Sequence, residues 1–182
     1  MKIVLGLTGP NAAGKGEVAA YLSGRGFAVH SLSDVVREEA AARGLPPERE
    51  HLIRVGNLLR EEGGPGILAT RILPRLGDRD VVDSIRSPGE VSVLRGLPSF
   101  VLLAVRAPVE LRFRRALSRG RPGDPRSLDE FEARERQENA ADPWSQQLDA
   151  TFRLADHVLD NGGDLDRLRR QVERFLEKRL EC

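Results

Sequence analysis

Short apolar runs alternate with helical patterns along the whole chain. Ile3–Leu7 is continuously apolar apart from Gly6, as expected of a strand covered on both faces. A Gly-rich stretch, Gly9–Gly14, follows it. Lys15–Gly24 then predicts a helix with Val18, Ala19 and Leu22 on its inner face. Phe27–His30 predicts a short second strand. Asp34–Arg43 predicts a helix stopped by Gly44 and the Pro46-Pro47 pair. Glu48–Arg60 and Gly66–Leu76 carry two further helical patterns, parted by Gly63-Gly64-Pro65-Gly66. Val81–Asp83 reads as a strand ending in acid, and Pro88 suits the first turn of a helix reaching about Gly96. Phe100–Val105 is the most apolar strand. A helix over Pro108–Arg119, a polar segment Gly120–Arg126 and two charged helical patterns, Leu128–Asn139 and Trp144–Ala155, come next. His157–Leu159 predicts the last strand, Asn161-Gly162-Gly163 a turn, and Asp164–Arg179 a closing amphipathic helix. Five strands with helical crossovers predict an α/β fold of three layers around a five-stranded parallel sheet. There is no repeat, linker or low-complexity tract, so residues 1–182 are expected to form one domain.

Composition narrows the function. The 182 residues are 40% hydrophobic and 31% charged, enough for a real core. The 29 basic and 28 acidic residues leave a net charge of +1. That is no electrostatic footprint for nucleic acid or an anionic membrane, and neither is expected as a partner. The one cysteine, Cys182, excludes an intramolecular disulfide and a cysteine zinc site. Met1–Gly6 is too short an apolar run for a signal peptide or a spanning helix, so a cytoplasmic location is expected. Only Lys2, Lys15 and Lys178 are lysine, the other basic residues being arginine. In such a chain a position that insists on lysine stands out.

Lys15 is such a position. Gly9-Pro10-Asn11-Ala12-Ala13-Gly14-Lys15 satisfies G-x-x-x-x-G-K between a predicted strand and a predicted helix. Glycines let the backbone curl so that successive N–H groups face phosphate oxygens. The helix N-terminus adds partial positive charge, and the lysine reaches the β/γ-phosphates. The pattern's next residue should carry a hydroxyl for Mg²⁺, but Gly16 and then Glu17 stand there. Magnesium must then be held through water or by a carboxylate elsewhere. Glu17 is either such an anchor or a solvated first-turn acid.

With this loop in place, the chain resembles the nucleoside monophosphate kinase-like branch of P-loop proteins. It is similar especially to a group of predicted kinases related to adenylate kinase and dephospho-CoA kinase. Ser33-Asp34-Val35-Val36-Arg37 resembles the acceptor-side segment of adenylate kinase, which implies acceptor-binding helices at about 34–76 and a phosphate grip for Arg37. A helix cap with a solvated arginine is the plainer alternative. Ala107-Pro108-Val109-Glu110-Leu111 with Arg115 and Arg119 resembles the family helix leading into a short lid, here at about 120–127. The resemblance assigns Arg115, Arg119 and Arg121 to the transferring phosphoryl group. Arg112 and Arg114 compete with them, and one or two of the four arginines on this helix are expected to be merely solvated. Arg134 resembles the arginine after the lid, with Arg136 competing. Asp83 resembles the strand-terminal acid that orders Mg²⁺ through water, and Arg86 an acceptor-binding arginine. A turn-capping Asp83 is the bland alternative. Asn161 and Gly162 resemble the turn that packs on adenine. Gln146-Gln147 has no assignable physical role, and the charge run Asp129–Glu138 reads as a solvated helix face.

The resemblance implies an ATP- and Mg²⁺-dependent phosphotransferase with a small-molecule acceptor, a (deoxy)nucleoside monophosphate in first place. Asp34 separates the versions. A phosphate acceptor needs no base, whereas a hydroxyl acceptor, as in dephospho-CoA, needs a carboxylate to take its proton. A non-catalytic nucleotide-binding regulator is the third possibility, supported by the missing hydroxyl.

Overall fold

A computed structural model of the chain describes residues 2–120, 124–139 and 144–180. Five parallel strands form one sheet: β1 (Ile3–Thr8), β2 (Ala28–Ser31), β3 (Arg79–Asp83), β4 (Phe100–Arg106) and β5 (His157–Asp160), in the order β2-β3-β1-β4-β5. β1 is central, with Val4 beside Asp80 on β3 and Phe100 on β4. All six of its residues are buried, which accounts for its unbroken apolar run. The edge strands β2 and β5 are largely exposed and correspondingly shorter and more polar.

Helices cover both faces. On one face α1 (Lys15–Ser23) and α9 (Leu165–Leu180) bury Val18, Leu22, Leu168, Val172 and Leu176 against Leu5, Leu7 and Leu103. On the other lie α2 (Leu32–Ala42), α3 (Arg49–Gly63), α4 (Ile67–Ile72) and α5 (Pro88–Leu94). These bury Leu32, Val35, Leu59, Leu68, Ile72 and Leu94 against Val4, Val82 and Leu102. α6 (Val109–Arg119), α7 (Leu128–Glu138) and α8 (Leu148–Arg153) complete the described elements.

The predicted elements are found, with their ends shifted. The pattern over Gly66–Leu76 ends as α4 followed by a 3-10 turn at Leu73–Arg75, where Pro74 cannot continue an α-helix. The pattern over Trp144–Ala155 contracts to α8. Among the described residues no helix is long and apolar enough to cross a membrane. Strands are added to one side of β1 (β3, then β2) and to the other (β4, then β5), so the order switches at β1 and a cleft opens beyond the carboxyl ends of β3, β1 and β4.

Candidate phosphate-binding site

Gly9–Gly14 leaves the end of β1 at that cleft. Three of its residues take left-handed φ: Gly9 at 131°, Ala12 at 57° and Gly14 at 107°. Alternation between left- and right-handed residues turns successive amides to one side, the geometry of an anion nest. At Gly9 any Cβ would fall on the Val105 carbonyl oxygen, and at Gly14 on the Asn161 Nδ2. Both glycines are therefore required twice, for conformation and for space. Gly14 caps α1, its carbonyl accepting the Glu17 N–H (3.1 Å), while the N–H groups of Lys15 and Gly16 precede the first helical acceptor.

Lys15 folds back over this loop. Its Nζ donates to the carbonyls of Gly9 (2.6 Å) and Pro10 (2.9 Å). Burial, above all, pushes its pKa down to about 8. Arg86 and Arg112 add to the shift, while Asp83 and Glu135 oppose it. Those four side chains are the charged surroundings of Lys15, and they arrive from separate elements: Asp83 and Arg86 from the end of β3, Arg112 from α6, Glu135 from α7.

Two braces hold the loop. Asn161, buried just after β5, donates its Nδ2 to the Ala13 carbonyl (2.8 Å), and its own N–H donates to the Arg106 carbonyl. Arg115 Nη2 in turn donates to the Asn161 carbonyl (3.0 Å). From the other side buried Arg112 donates to the Asn11 carbonyl (3.3 Å), pairs with Glu135 and lies over the Phe131 ring. Asn161 thus holds the loop with its side chain, and Gly162 is an exposed turn residue whose N–H donates to Asp160. Arg112, expected only as a competitor, is the α6 arginine beside Lys15. Arg115 faces Asn161, with Glu17 nearby, and burial pulls its pKa down. Arg119 pairs with Asp124 at 3.2 Å. Arg121 lies outside the described residues, and with it the tip of the expected lid.

At the end of β3, Asp83 accepts from the Ser84 N–H (2.6 Å), and Ser84 takes a left-handed φ of 67°. Arg86 is held at its backbone and at its guanidinium, which donates to Gln146 Oε1 (2.8 Å). Asp34 and Arg37 lie in the first turns of α2, which begins directly after Ser31, itself paired with Asp83 across the sheet and bonded to Ser84 (3.3 Å). They pair with each other across one turn of α2, each side chain more than half exposed, and Arg75 is a further charged group near Asp34. The run Asp129–Glu138 is not simply solvated. Glu135 pairs with Arg112, and Glu138 pairs with Arg49, linking α7 to α3. Arg134 pairs with Glu130 and Arg136 with Glu132, each within one turn of α7. The sequence signal for Arg112 was only its position one turn before the predicted pair on the same helix. Gln146 offered none.

Gly16 is exposed, and a side chain there would meet nothing within 4 Å. A hydroxyl-free position open to solvent leaves room for a hydrated cation, and the Asp83 carboxylate at the strand end supplies the hard oxygen donor Mg²⁺ prefers. The residues present fit a water-mediated magnesium ion.

Relatives of the chain are alike over its whole length. A UPF0200 protein from Hyperthermus butylicus is 34% identical over 181 residues, covering 97% of this chain and 95% of that one. A second, from Pyrococcus abyssi, is 34% identical over 187 residues, covering 98% and 97%. The chain belongs to the UPF0200 family. No family model matches it. Among solved structures, TT1252 from Thermus thermophilus has a TM-score of 0.59 at 27% identity, covering 97% of each chain. Shikimate kinase from Acinetobacter baumannii, solved with shikimate, has a TM-score of 0.61 at 14% identity, covering 100% of this chain and 94% of that one. The family member described here therefore has the fold of the P-loop kinases.

Proposed function

We propose that this chain is an ATP- and Mg²⁺-dependent phosphotransferase acting on a small phosphorylated metabolite, a (deoxy)nucleoside monophosphate. The observation that carries the reading is the environment of Lys15. A lysine with a lowered pKa lies across a nest of backbone amides, with Arg86, Arg112 and Asp83 around it. That assembly matches the tail of a nucleoside triphosphate, whose oxygens would replace the Gly9 and Pro10 carbonyls as acceptors for Lys15 Nζ.

In this reading Lys15 and the loop amides hold the β/γ-phosphates, and Asp83 holds Mg²⁺ through water. Magnesium, when bound, neutralises phosphate charge. Arg112 and Arg86 flank the transferring group, with Arg115, Arg119 and Arg121 as closing arginines. Arg86 presents the acceptor. An acceptor phosphate oxygen attacks the γ-phosphorus, the bond to the ADP oxygen breaks, and no general base is needed. The arginines of α6 and the resemblance of Asp34–Arg37 to a phosphate grip support this version over a hydroxyl acceptor, which would require a carboxylate at the reacting oxygen.

One observation favours a second reading, a nucleotide-binding regulator without turnover: Gly16 and Glu17 leave both positions after Lys15 without a hydroxyl. A panel of nucleoside monophosphates with ATP and Mg²⁺, reading ADP above the acceptor-free background, separates the two. Acceptor-dependent ADP formation is expected. Tight ATP binding without it favours the regulator, and calorimetry blind to millimolar ATP overturns both.

A further inference from the structure

Glu90 is completely buried and has no part in the reading above. It lies in the first turn of α5, where Ser87 and Glu90 cap the helix reciprocally. Its carboxylate does more than cap. Oε2 accepts the N–H of Arg86 (2.7 Å) and of Ser87 (3.1 Å), and Oε1 accepts Nη2 of Arg60 (2.9 Å). Arg60, from α3, is itself only 3% exposed. The segment before α8 reaches the same arginine. The Gln147 N–H donates to the Arg86 carbonyl (2.8 Å), and Gln146 Oε1 accepts Nη1 of Arg86. Arg86 is thus tied at its amide, its carbonyl and its guanidinium by residues from two separate elements.

We infer that Glu90 and Gln146 are positioning residues that fix Arg86 as a preformed anion-binding fork for the phosphate group of the acceptor, Glu90 through the backbone and Gln146 through the side chain. The inference rests on the phosphotransferase reading for the identity of the acceptor, but the positioning is independent of it. A guanidinium with one nitrogen held by Gln146 keeps its other donors in a fixed plane, the geometry that recognises phosphate in bidentate fashion. With its oxygen turned toward Arg86, Gln146 carries its NH₂ donors on the other branch of the amide. The Arg60–Glu90 pair has a reason to be buried despite its desolvation cost: it ties α3 to the turn that carries Arg86. Burial lowers the Arg86 pKa, with Glu138 and Glu90 opposing the shift and Arg49 and Arg60 adding to it. The guanidinium stays charged throughout.

The test uses the full chain without nucleotide and then with acceptor. Lys15 is one of three lysines, so its side-chain titration can be followed by NMR after selective labelling and assigned with a Lys15→Arg variant. Arg86 is the second contributor, after burial, to the lowered Lys15 pKa. Arg86→Gln should therefore raise it, and Gln146→Leu, which frees the guanidinium without touching the Arg60–Glu90 pair, should raise it by less. Glu90→Gln leaves Arg60 unpaired in the core and could unfold the protein. The double variant Arg60→Gln/Glu90→Gln keeps a neutral hydrogen-bonded pair and serves instead. With acceptor, Gln146→Leu should raise the acceptor KM about tenfold or more and leave ATP affinity in place, as expected for loosened alignment at a reacting centre. Folded variants with a lowered melting temperature but an unmoved Lys15 titration and acceptor KM would show a merely structural role and overturn the inference. Failure of the wild type to bind ATP would instead remove the phosphotransferase reading, and the nucleotide-free Lys15 titration would still decide this one.

Discussion

Among the aspartates followed three residues later by arginine, Asp34–Arg37 and Asp83–Arg86 are treated by the fold in opposite ways. On α2 the three-residue spacing brings the side chains together on one helical face, and they neutralise each other in solvent. At the end of β3 the chain turns through Ser84, and the two side chains separate. Asp83 bonds the turn, Arg86 is fixed between Glu90 and Gln146, and both act on Lys15. Identical residues at identical spacing make a surface ion pair in a helix and a charged cleft at a strand end.

The largest effect expected from this contrast is on turnover. Arg86→Ala should reduce acceptor-dependent phosphoryl transfer by roughly 10²–10³-fold, the scale seen when a group facing developing charge is removed. Arg37→Ala should stay within a few-fold. Steady-state rates of the two variants side by side check this, and equal losses would abolish the distinction.

The loop sharpens it next. Gly14→Ala adds a Cβ at a left-handed φ and directs it into Asn161 Nδ2. A loss of about 1–3 kcal/mol in denaturant unfolding is expected, with ATP affinity falling in parallel. Gly16→Ala, in open space, should leave folding nearly unchanged.

Lys15 links the nucleotide side to pH. Because its folded pKa is near 8, below the ordinary lysine value of 10.5, the folded protein binds fewer protons than the unfolded chain between these limits. Nucleotide-free stability should gain a contribution as pH rises from about 8 to about 10.5. ATP affinity should run the other way, since the phosphates need the charged amine, with a loss of about tenfold per pH unit above 8. Calorimetry in two buffers of different ionisation enthalpy should register proton uptake on binding above pH 8.

The smallest effect belongs to α2. Asp34→Asn removes an exposed pair one turn apart and should change stability by no more than about 0.5 kcal/mol, read from chemical denaturation. Most turnover should survive. Its abolition would return Asp34 to the role of base for a hydroxyl acceptor.

Much of this was legible in the residues. The apolar runs marked β1, β3 and β4 because a strand covered on both faces has no polar side to show, and the weaker runs marked the edge strands β2 and β5. The loop was legible because curling the backbone around an anion demands glycine at particular places. Arg112 was not singled out, because four arginines on one helix look alike until packing chooses which one is buried. Gln146 and Glu90 were invisible as site residues, since their partner, Arg86, is 60 and 4 positions away and neither lies on a periodic face that points to it. The charge run on α7 misled for the related reason that composition does not say what lies opposite a helix.

The sequence by itself determined the sheet, the crossover helices and an anion nest ending in Lys15, because these depend on local conformation and on hydrophobic periodicity. Only the tertiary structure decided which charges surround that lysine and what holds them there. Side chains from β3, α6 and α7 meet only when the sheet order brings the carboxyl ends of β3, β1 and β4 together, and the field at a point depends on distances through space that spacing along the chain does not encode.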